Sequence, residues 1–431
     1  MTSLRIWHPF TQAALDPSPL PVARGEGAYL ILEDGRRIVD AVSSWWVNLH
    51  GHGHPRIAAA IAEQAKKLEH VILAGFTHDK AEELAQRLRK WVPGDLTHLF
   101  FSDDGSTAVE VALKLAVQYW SNLGRPEKRE IAALEHGYHG DTTGAMSVSD
   151  DSPFTEPFGS MRFPVHRVHS AYCHRCPLGL ERATCHIECT ESLAKLLADR
   201  GEQIAAVIVE PLLQGAGGMI VHPIEFLQKV RALCTKHDAL LIADEVLTGF
   251  GRTGKMFACD HARITPDLMC LSKGLTGGFL PMGVTLCTAR VEAAFRSHDP
   301  RNTFFHGHSY TGNPLACAAA CASLQLFEDE PVFERIAAIA KIHAERLARL
   351  REAGAVGETR QIGTVAAIEL GADDAGYLSG LRPRLYRYFL ERSVLLRPLG
   401  NVVYVLPPYV IPPDELHRVY DVIGQAIETL L

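Results

Sequence analysis

The chain has 431 residues, of which 47% are hydrophobic and 22% are charged. This length and composition exclude intrinsic disorder and repetitive fibrous chains, and they predict one large domain or two joined domains. Asp and Glu outnumber Lys and Arg by 50 to 43, so the net charge of −7 provides no basic surface for nucleic acid or anionic lipid. We therefore expect small-molecule substrates, with neither nucleic acid nor a membrane as partner.

No apolar stretch is long enough to span a bilayer, because the richest segment, residues 205–220, is interrupted by Glu210 and by glycines. Residues 1–12 lack the basic-then-apolar order of a secretory signal. Most of the ten cysteines stand singly in apolar contexts, where a reduced thiol behaves as a small hydrophobe. We expect a cytoplasmic protein without a disulfide framework.

The first predicted elements are a hairpin and two helices. Residues 28–42 alternate around a Glu-Asp-Gly-Arg turn, which predicts two antiparallel strands. The segment His50 to Pro55 is rich in histidine and glycine, and we interpret it as a turn and cap before a helix over 56–68 rather than as a metal site. The charged run over 80–90 predicts a solvated helix face.

Short apolar runs recur through the middle of the chain, and each ends in polar or glycine-rich residues. They lie at 99–101, 131–134, 205–209, 239–243 and 267–271, with a buried helix predicted over 108–120. Such runs are typical of strands that are buried on both faces of a parallel sheet. Because ligands bind beyond the carboxyl ends of these strands, we expect the polar residues that follow the runs to converge at one edge.

After about Pro314 the pattern changes to two helices, over 315–327 and 336–353, followed by alternating segments at 364–370 and 402–406. This arrangement predicts a smaller α+β domain. We therefore expect an α/β protein with a large domain over residues 50–314 and a small domain formed by residues 1–49 together with 315–431.

Lys273 and Asp244 are the first candidates for chemistry. Lys273 follows an apolar run, a semi-buried setting that can lower the pKa of its amine and make it a nucleophile toward carbonyl groups. The alternative is a lysine that merely extends to solvent. Asp244 ends a buried strand, where a carboxylate needs a favourable partner. That partner would be an arginine, a helix N-terminus or the protonated ring nitrogen of pyridoxal phosphate.

Gly105, Ser106 and Thr107 form a candidate phosphate site. They lie between an apolar run and a buried helix, so their N–H groups and hydroxyls would face an anion at the positive end of the helix. An ordinary N-cap is the alternative. Tyr138 offers a flat ring to stack on a cofactor, although most loop tyrosines serve only in packing.

Taken in chain order, these motifs resemble those of the class III aminotransferases, which are pyridoxal-phosphate enzymes of fold type I. The motifs are Asp104-Gly105-Ser106, Gly137-Tyr138-His139-Gly140, Glu210-Pro211, Ala243-Asp244-Glu245-Val246, Gly249-Phe250-Gly251-Arg252-Thr253-Gly254, Ser272-Lys273-Gly274 and His306-Gly307-His308-Ser309-Tyr310-Thr311-Gly312-Asn313-Pro314. The resemblance extends from about Trp7 to Pro408. It implies a large domain with a mostly parallel sheet flanked by helices, a smaller α+β domain, and a homodimer with shared active sites.

The resemblance also implies which residues bind pyridoxal 5′-phosphate. Lys273 would form a Schiff base with the cofactor, and Asp244 would pair with its ring nitrogen. Gly105 and Ser106 would bind the phosphate together with Ser309, which would come from a second subunit.

Substrate contacts are implied in the same way. Trp46 and Tyr138 would line the substrate cavity beside Lys273, with Tyr138 also taking part in catalysis. Gly307 would contact substrate, and Arg397 would bind a substrate carboxylate. A guanidinium group suits that task because its planar donors match a carboxylate.

Narrower motifs resemble the family members that act in biotin synthesis. These motifs are Trp7-His8-Pro9-Phe10-Thr11, Ser43-Ser44-Trp45-Trp46, Gly137-Tyr138-His139-Gly140-Asp141-Thr142, Gln214-Gly215-Ala216-Gly217-Gly218-Met219 and Leu396-Arg397-Pro398-Leu399-Gly400. They imply amino transfer from S-adenosylmethionine to 8-amino-7-oxononanoate, giving 7,8-diaminononanoate in two half-reactions at one site. Lysine as the donor is an alternative, because His308-Ser309-Tyr310 resembles relatives that use it. Another ω-amino acid aminotransferase is a further alternative.

Three further features have competing interpretations. Trp45, Trp46 and Phe10 would form an apolar wall, although one tryptophan would belong to the core because neighbours on an extended segment face opposite ways. Phe10 replaces a tyrosine found in some relatives.

The loop over 249–254 lacks the dinucleotide-binding spacing, which argues against a nucleotide-dependent oxidoreductase. We expect a loop shaped by its glycines, with Arg252 reaching a substrate.

Four cysteines resemble a zinc ligand set at first sight, namely Cys173, Cys176, Cys185 and Cys189. They are the one feature that favours a non-catalytic, zinc-stabilised binding protein. The spacing of the second pair is loose for zinc. We therefore predict no metal.

Overall fold

Strands and helices alternate along most of the chain. The structure is a computed structural model that describes residues 6–15, 18–352, 354, 356–371 and 376–431. The strands are β1 (Val22–Glu26), β2 (Tyr29–Leu32), β3 (Arg37–Asp40), β4 (Leu96–Ser102), β5 (Glu130–Leu134), β6 (His166–Val168), β7 (Ile204–Val209), β8 (Leu213–Gln214), β9 (Ile220–Val221), β10 (Leu240–Asp244), β11 (Leu268–Leu271), β12 (Gly283–Thr288), β13 (Glu358–Ile362), β14 (Val365–Glu369), β15 (Val394–Leu395) and β16 (Val402–Val405).

The five helices that the sequence predicts are present to within a few residues, and further helices lie between and after them. They are α1 (Pro55–Lys67), α2 (Asp79–Arg89), α3 (Gly105–Asn122), α4 (Thr143–Val148), α5 (Glu191–Arg200), α6 (Ile224–Lys236), α7 (Cys259–Ala262), α8 (Ala289–Ala293), α9 (Pro314–Asp329), α10 (Val332–Glu352), α11 (Leu381–Glu391) and α12 (Pro413–Leu430). Short 3₁₀ helices lie at Glu156–Met161, Cys173–Arg175, Glu188–Thr190, Lys273–Thr276 and Pro300–Asn302.

The central sheet has seven strands in the order β4-β12-β11-β10-β7-β5-β6. β12 is antiparallel to both neighbours, and the other pairs are parallel. Every residue of β7, β10 and β11 is buried, which explains why these strands read as continuous apolar runs. The mostly parallel sheet and the α/β class are confirmed.

Helix α3 covers one face of this sheet. It is apolar nearly all round because it packs against β4, β7, β10, β11 and β12. Near its C-terminal end Trp120 is buried and donates its indole N–H to the carbonyl oxygen of Ala205 in β7 at 2.9 Å. This packing fixes the opposite, N-terminal end of the helix at the carboxyl edge of the sheet.

Two smaller sheets are built from the ends of the chain. The hairpin β2-β3 forms as expected, and β15 adds to β3 in parallel, so that residues from both ends share the sheet β1-β2-β3-β15. A second sheet has the order β13-β14-β16. We propose the domain division at residues 50 and 314 on this basis.

Candidate active site

The carboxyl ends of β4, β5, β7, β10 and β11 surround one cavity of about 500 Å³. The residues that follow these strands line it. They are Asp104, Gly105 and Ser106 after β4, Tyr138, His139 and Gly140 after β5, Glu210 after β7, Asp244 at the end of β10, and Ser272 and Lys273 after β11.

The N-terminus of α3 forms one side of this cavity. Asp104 is the N-cap: its carboxylate accepts the N–H of Thr107 at 2.8 Å, while the Thr107 hydroxyl accepts the N–H of Asp104 at 3.0 Å. This reciprocal pair satisfies two of the N–H groups at the helix start. Gly105 and Ser106 line the cavity, where the positive end of the helix favours an anion.

Gly140 and Ser106 are in close contact across the cavity edge. A Cβ atom on Gly140 would lie 2.0 Å from the Ser106 hydroxyl oxygen, so glycine is required at this position. The same oxygen accepts the N–H of Asp141 at 3.1 Å. The Ser106 hydroxyl hydrogen therefore stays available to an anion.

Lys273 projects into the cavity from a strained backbone position with φ of 45°. Burial lowers the pKa of its amine to about 8, although Asp244 and Glu210 act in the opposite direction. The Nζ atom lies 4.6 Å from the centre of the Trp46 ring, a cation–π distance. A substantial fraction of neutral amine is thus present near physiological pH, which suits a nucleophile toward carbonyl groups.

Asp244 is buried, and its side-chain partner is a histidine rather than the arginine or helix N-terminus that the sequence suggests. Oδ2 lies 2.7 Å from Nδ1 of His139, and Oδ1 accepts the N–H of Val246 at 3.1 Å. Neither an arginine nor a helix N-terminus takes this role. His139 and Asp244 are 105 residues apart in sequence, and sequence reasoning missed the contact. The one signal was a histidine inside a glycine-rich motif.

Tyr138 and Glu210 are linked through the backbone. A Glu210 carboxylate oxygen accepts the N–H of Tyr138 at 3.0 Å, and the other accepts the N–H of Gly215 at 3.0 Å. Burial raises the pKa of Glu210 to about 7, with Asp244 adding to the effect and His139 opposing it. The Tyr138 hydroxyl donates to Asp141 at 3.0 Å, and burial raises its pKa well above 10.

The comparisons with known proteins agree with this geometry. A sequence profile of the Aminotransferase class-III family matches residues 10–427. The chain belongs to the class III aminotransferases. It is 48% identical to the adenosylmethionine-8-amino-7-oxononanoate aminotransferase of Synechococcus elongatus, covering 99% of each chain. It is 43% identical to the enzyme of the same name from Geobacter sulfurreducens, covering 99% of this chain and 96% of the relative.

Solved structures with the same fold include that of the adenosylmethionine-8-amino-7-oxononanoate aminotransferase from Methanocaldococcus jannaschii. Its TM-score is 0.92 at 37% identity, with 98% of this chain and 96% of that chain covered. An amine transaminase from an uncultivated Pseudomonas species, in its PLP-bound form, has a TM-score of 0.91 at 33% identity and 99% coverage of both chains. The fold type I architecture of this aminotransferase is thereby confirmed.

The segment that carries the tryptophans is a left-handed turn rather than an extended strand. Ser43, Ser44, Trp45 and Trp46 have φ of 52°, 45°, 71° and 75°. Trp46 is buried, lines the cavity and donates its indole N–H to the Tyr404 hydroxyl at 3.1 Å. The two tryptophan side chains do diverge, as expected, since Trp46 is buried and Trp45 is exposed. The expected cause, an extended segment, was wrong, because the backbone forms a tight turn.

Trp45 contacts Arg397 and Phe10, two residues that line a second, larger cavity. The Arg397 guanidinium lies 4.8 Å from the centre of the Trp45 ring and donates to the Phe10 carbonyl oxygen at 3.2 Å. Phe10 and Arg397 line this cavity of about 950 Å³. Of the site residues that the sequence predicts, Arg397 therefore lies outside the cavity of Lys273.

Ser309 and Gly307 also lie outside the Lys273 cavity within this chain. Ser309 and Gly307 are both exposed on the segment after the 3₁₀ helix Pro300–Asn302. Neither residue lines the cavity. This placement is compatible with a role in the site of a neighbouring subunit.

Arg252 lines neither cavity, and the expectation that it reaches a substrate stays a prediction. Its guanidinium is buried and donates to the carbonyl oxygens of Pro407, Asn48 and Trp46 at 2.9, 3.0 and 3.3 Å. Burial lowers its pKa. Arg252 thus links the loop after β10 to the turn that carries Trp46.

The loop over 50–55 is a turn before α1, as expected, but it provides no side-chain cap: His54 is the N-cap residue and makes no such bond. His52 instead pairs with Asp40 at 2.9 Å.

In the part of the chain that the structure describes, no three His, Cys, Asp or Glu side chains are arranged to hold a metal ion. Cys173, Cys176, Cys185 and Cys189 are free thiols around a small apolar pocket.

Within the described ranges, no helix combines the length and apolar character needed to cross a membrane.

Proposed function

We propose that this aminotransferase binds pyridoxal 5′-phosphate in the cavity of Lys273. When bound, this cofactor supplies an electron sink and carries an amino group between two half-reactions. The donor set suits it: an amine of lowered pKa, a buried carboxylate and a helix N-terminus all border one cavity. Their convergence is the observation that carries the proposal.

Lys273 would bind the cofactor covalently and, once released by the incoming amine, would move the proton at the substrate Cα atom. The amine can do both because a large share of it is neutral near pH 8 and it lies within the cavity. The Trp46 ring beside Nζ keeps water from that side of the amine.

Asp244 would hold a positive charge on the ring nitrogen of the cofactor. Its carboxylate is buried and already oriented by His139 and by the N–H of Val246, so little reorganisation is needed. His139 uses Nδ1 for this contact, and its Nε2 atom is buried without a partner. We assign His139 to orienting the carboxylate.

Gly105 and Ser106 would bind the phosphate group. The first turn of α3 presents its N–H groups and the Ser106 hydroxyl to the cavity. The capping pair of Asp104 and Thr107 orders that turn before any ligand binds.

The substrate pair that we propose is S-adenosylmethionine as donor and 8-amino-7-oxononanoate as acceptor, with 7,8-diaminononanoate as product. The names of relatives that are 37–48% identical along nearly the whole chain support it. A long keto acid needs apolar surface and a carboxylate anchor, for which Trp46, Tyr138 and Arg397 are available. Lysine as the donor remains the second candidate because of the His308-Ser309-Tyr310 motif.

We propose that the enzyme is a homodimer in which Ser309 and Gly307 complete the partner's site. Ile72, Phe76, Phe305 and Tyr310 are between 60% and 76% exposed. The two segments that carry them are in contact, since the Tyr310 ring lies 5.5 Å from that of His70. Exposed apolar surface of this kind is typical of an interface.

The ten free cysteines support a reducing compartment, the cytoplasm.

A half-reaction experiment tests the proposal. Holoenzyme is mixed separately with S-adenosylmethionine and with lysine, and the visible absorption of the bound cofactor is followed. We expect S-adenosylmethionine to discharge the absorption and 8-amino-7-oxononanoate to restore it. Discharge by lysine alone would identify the second candidate, and no response to either would contradict the function.

Lys273→Ala should abolish multiple turnover, because it removes both the nucleophile and the proton carrier. Lys255→Ala is the matched control, since Lys255 is an exposed lysine between β10 and α7 that does not line the cavity. Appreciable turnover by the Lys273→Ala enzyme would refute the assigned role.

A further inference from the structure

A buried carboxylate lies beneath the left-handed turn Ser43–Trp46. The side chain of Asp40, at the end of β3, is fully buried. One carboxylate oxygen accepts the N–H of Val42 at 3.2 Å. The other accepts the hydroxyl of Ser44 at 2.8 Å and the Nε2–H of His52 at 2.9 Å. A single carboxylate therefore joins the turn to the loop over 50–55.

His52 is itself held firmly in place. The backbone N–H of His52 donates to the backbone carbonyl oxygen of Gly27 at 2.8 Å, and the backbone carbonyl oxygen of His52 accepts the N–H of Gly27 at 3.1 Å. Gly25 makes room for it, because a Cβ atom there would lie 2.6 Å from the His52 Cβ. The ring is thus fixed by two backbone bonds and a glycine, which makes it a suitable anchor for Asp40.

The turn needs such an anchor because its conformation is intrinsically unfavourable. All four of its residues have positive φ, although none is glycine. A strained backbone persists only where the surroundings determine it. Besides the Ser44–Asp40 bond, the Ser43 hydroxyl donates to the carbonyl oxygen of Leu406 at 2.7 Å.

The turn positions two tryptophan side chains that contact residues assigned to the reaction and to substrate binding. Trp46 lies against Lys273, and the preceding residue, Trp45, lies against Arg397. The turn therefore sets the spacing between the reactive amine and the guanidinium that we assign to the substrate carboxylate. A keto acid of fixed length is sensitive to this spacing.

We propose that His52, acting through Asp40 and Ser44, is a positioning residue that holds this turn and so determines the fit of the long keto acid. The inference rests on the proposed function, because it uses Arg397 as the carboxylate anchor. His52 touches neither the Lys273 cavity nor the cavity of Arg397.

Steady-state assays of the holoenzyme with 8-amino-7-oxononanoate test this role. His52→Phe keeps a ring but removes the N–H donor, and we expect KM for the keto acid to rise about tenfold, with kcat and the cofactor absorption little changed. His52→Gln retains an N–H donor and should restore KM to within about twofold of wild type. His298→Phe is the control, because His298 is exposed and lies between α8 and the 3₁₀ helix Pro300–Asn302 rather than in the turn or its supporting loop.

An unchanged KM in His52→Phe would overturn the proposal, and so would an equal defect in His52→Phe and His52→Gln. If His52→Phe fails to fold, Ser44→Ala decides, since it leaves the His52–Asp40 pair intact but frees the turn; the same rise in KM is expected and its absence refutes the role. If the wild-type enzyme does not use this keto acid, the proposed function fails separately, and the same variants are then compared on the long acceptor that it does use.

Discussion

At the scale of single residues, the environment of Lys273 makes a measurable difference to its chemistry. Burial lowers the pKa of its amine from the ordinary value near 10.5 to about 8. The neutral amine is the form that attacks an aldehyde, and it becomes the major species as the pH rises through this pKa. The rate at which the apoenzyme captures pyridoxal phosphate should therefore increase with pH, with a midpoint at about pH 8.

Stopped-flow measurement of that rate against pH checks the prediction. The control is Nα-acetyl-lysine in free solution, whose amine should show a midpoint near the ordinary lysine pKa of about 10.4. A midpoint near that value for the apoenzyme would show that burial does not activate Lys273.

The sequence was sufficient to predict that Lys273 and Asp244 share one cavity, because each lies at the end of an apolar run, and strand ends must meet at one edge of a parallel sheet. It was insufficient for the partners of these groups. His139 meets Asp244 across 105 residues, and Arg252 bonds Asn48 across 204. Contacts of that range depend on how loops pack after the sheet has formed, and no periodicity encodes them.

At the scale of elements, the start of α3 couples stability to ligand binding. Asp104 caps the helix through the N–H of Thr107, and the loss of such a cap typically costs about 1 kcal/mol. Asp104→Ala should therefore lower the urea midpoint of apoenzyme unfolding by an amount that corresponds to about 1 kcal/mol. Equilibrium unfolding followed by circular dichroism measures this shift.

Glu127→Ala serves as the control for Asp104→Ala. Glu127 is an exposed carboxylate whose nearest cation, on Arg125, is 3.9 Å away, so we expect a change below about 0.5 kcal/mol. Equal stability of the Asp104→Ala and Glu127→Ala proteins would mean that the capping pair contributes nothing to the helix.

The longer helices and the buried parallel strands could be predicted because their apolar periods are set by local geometry, as in β7 and α3. The turn Ser43–Trp46 could not. Each of its residues ordinarily avoids positive φ, at a cost of about 1–2 kcal/mol per residue, so local preference points to a different conformation. Side-chain bonds to Asp40, Leu406 and Arg252 overcome that preference, and those to Leu406 and Arg252 join residues that are 363 and 206 positions apart in the chain.

At the scale of the whole molecule, the position of Ser309 decides whether the active site belongs to one chain or to two. Ser309 is exposed and lies outside the cavity that contains Lys273. If it binds the phosphate in the partner's site, two different inactive subunits can complement each other. Lys273→Ala removes the reactive amine of its own cavity, and Ser309→Asp places a negative charge beside the phosphate that it should bind.

A heterodimer of one Lys273→Ala subunit and one Ser309→Asp subunit, purified through two affinity tags, distinguishes the arrangements. With Ser309 acting across the interface, one site carries both substitutions and the other carries none, so the heterodimer should have about half the activity of the wild-type dimer. With Ser309 acting within its own chain, each site carries one substitution and the heterodimer should be as inactive as either parent. The specific activity in the diaminononanoate-forming assay therefore decides between one chain and two, because only an interface that carries Ser309 into the neighbouring cavity can regenerate an intact site.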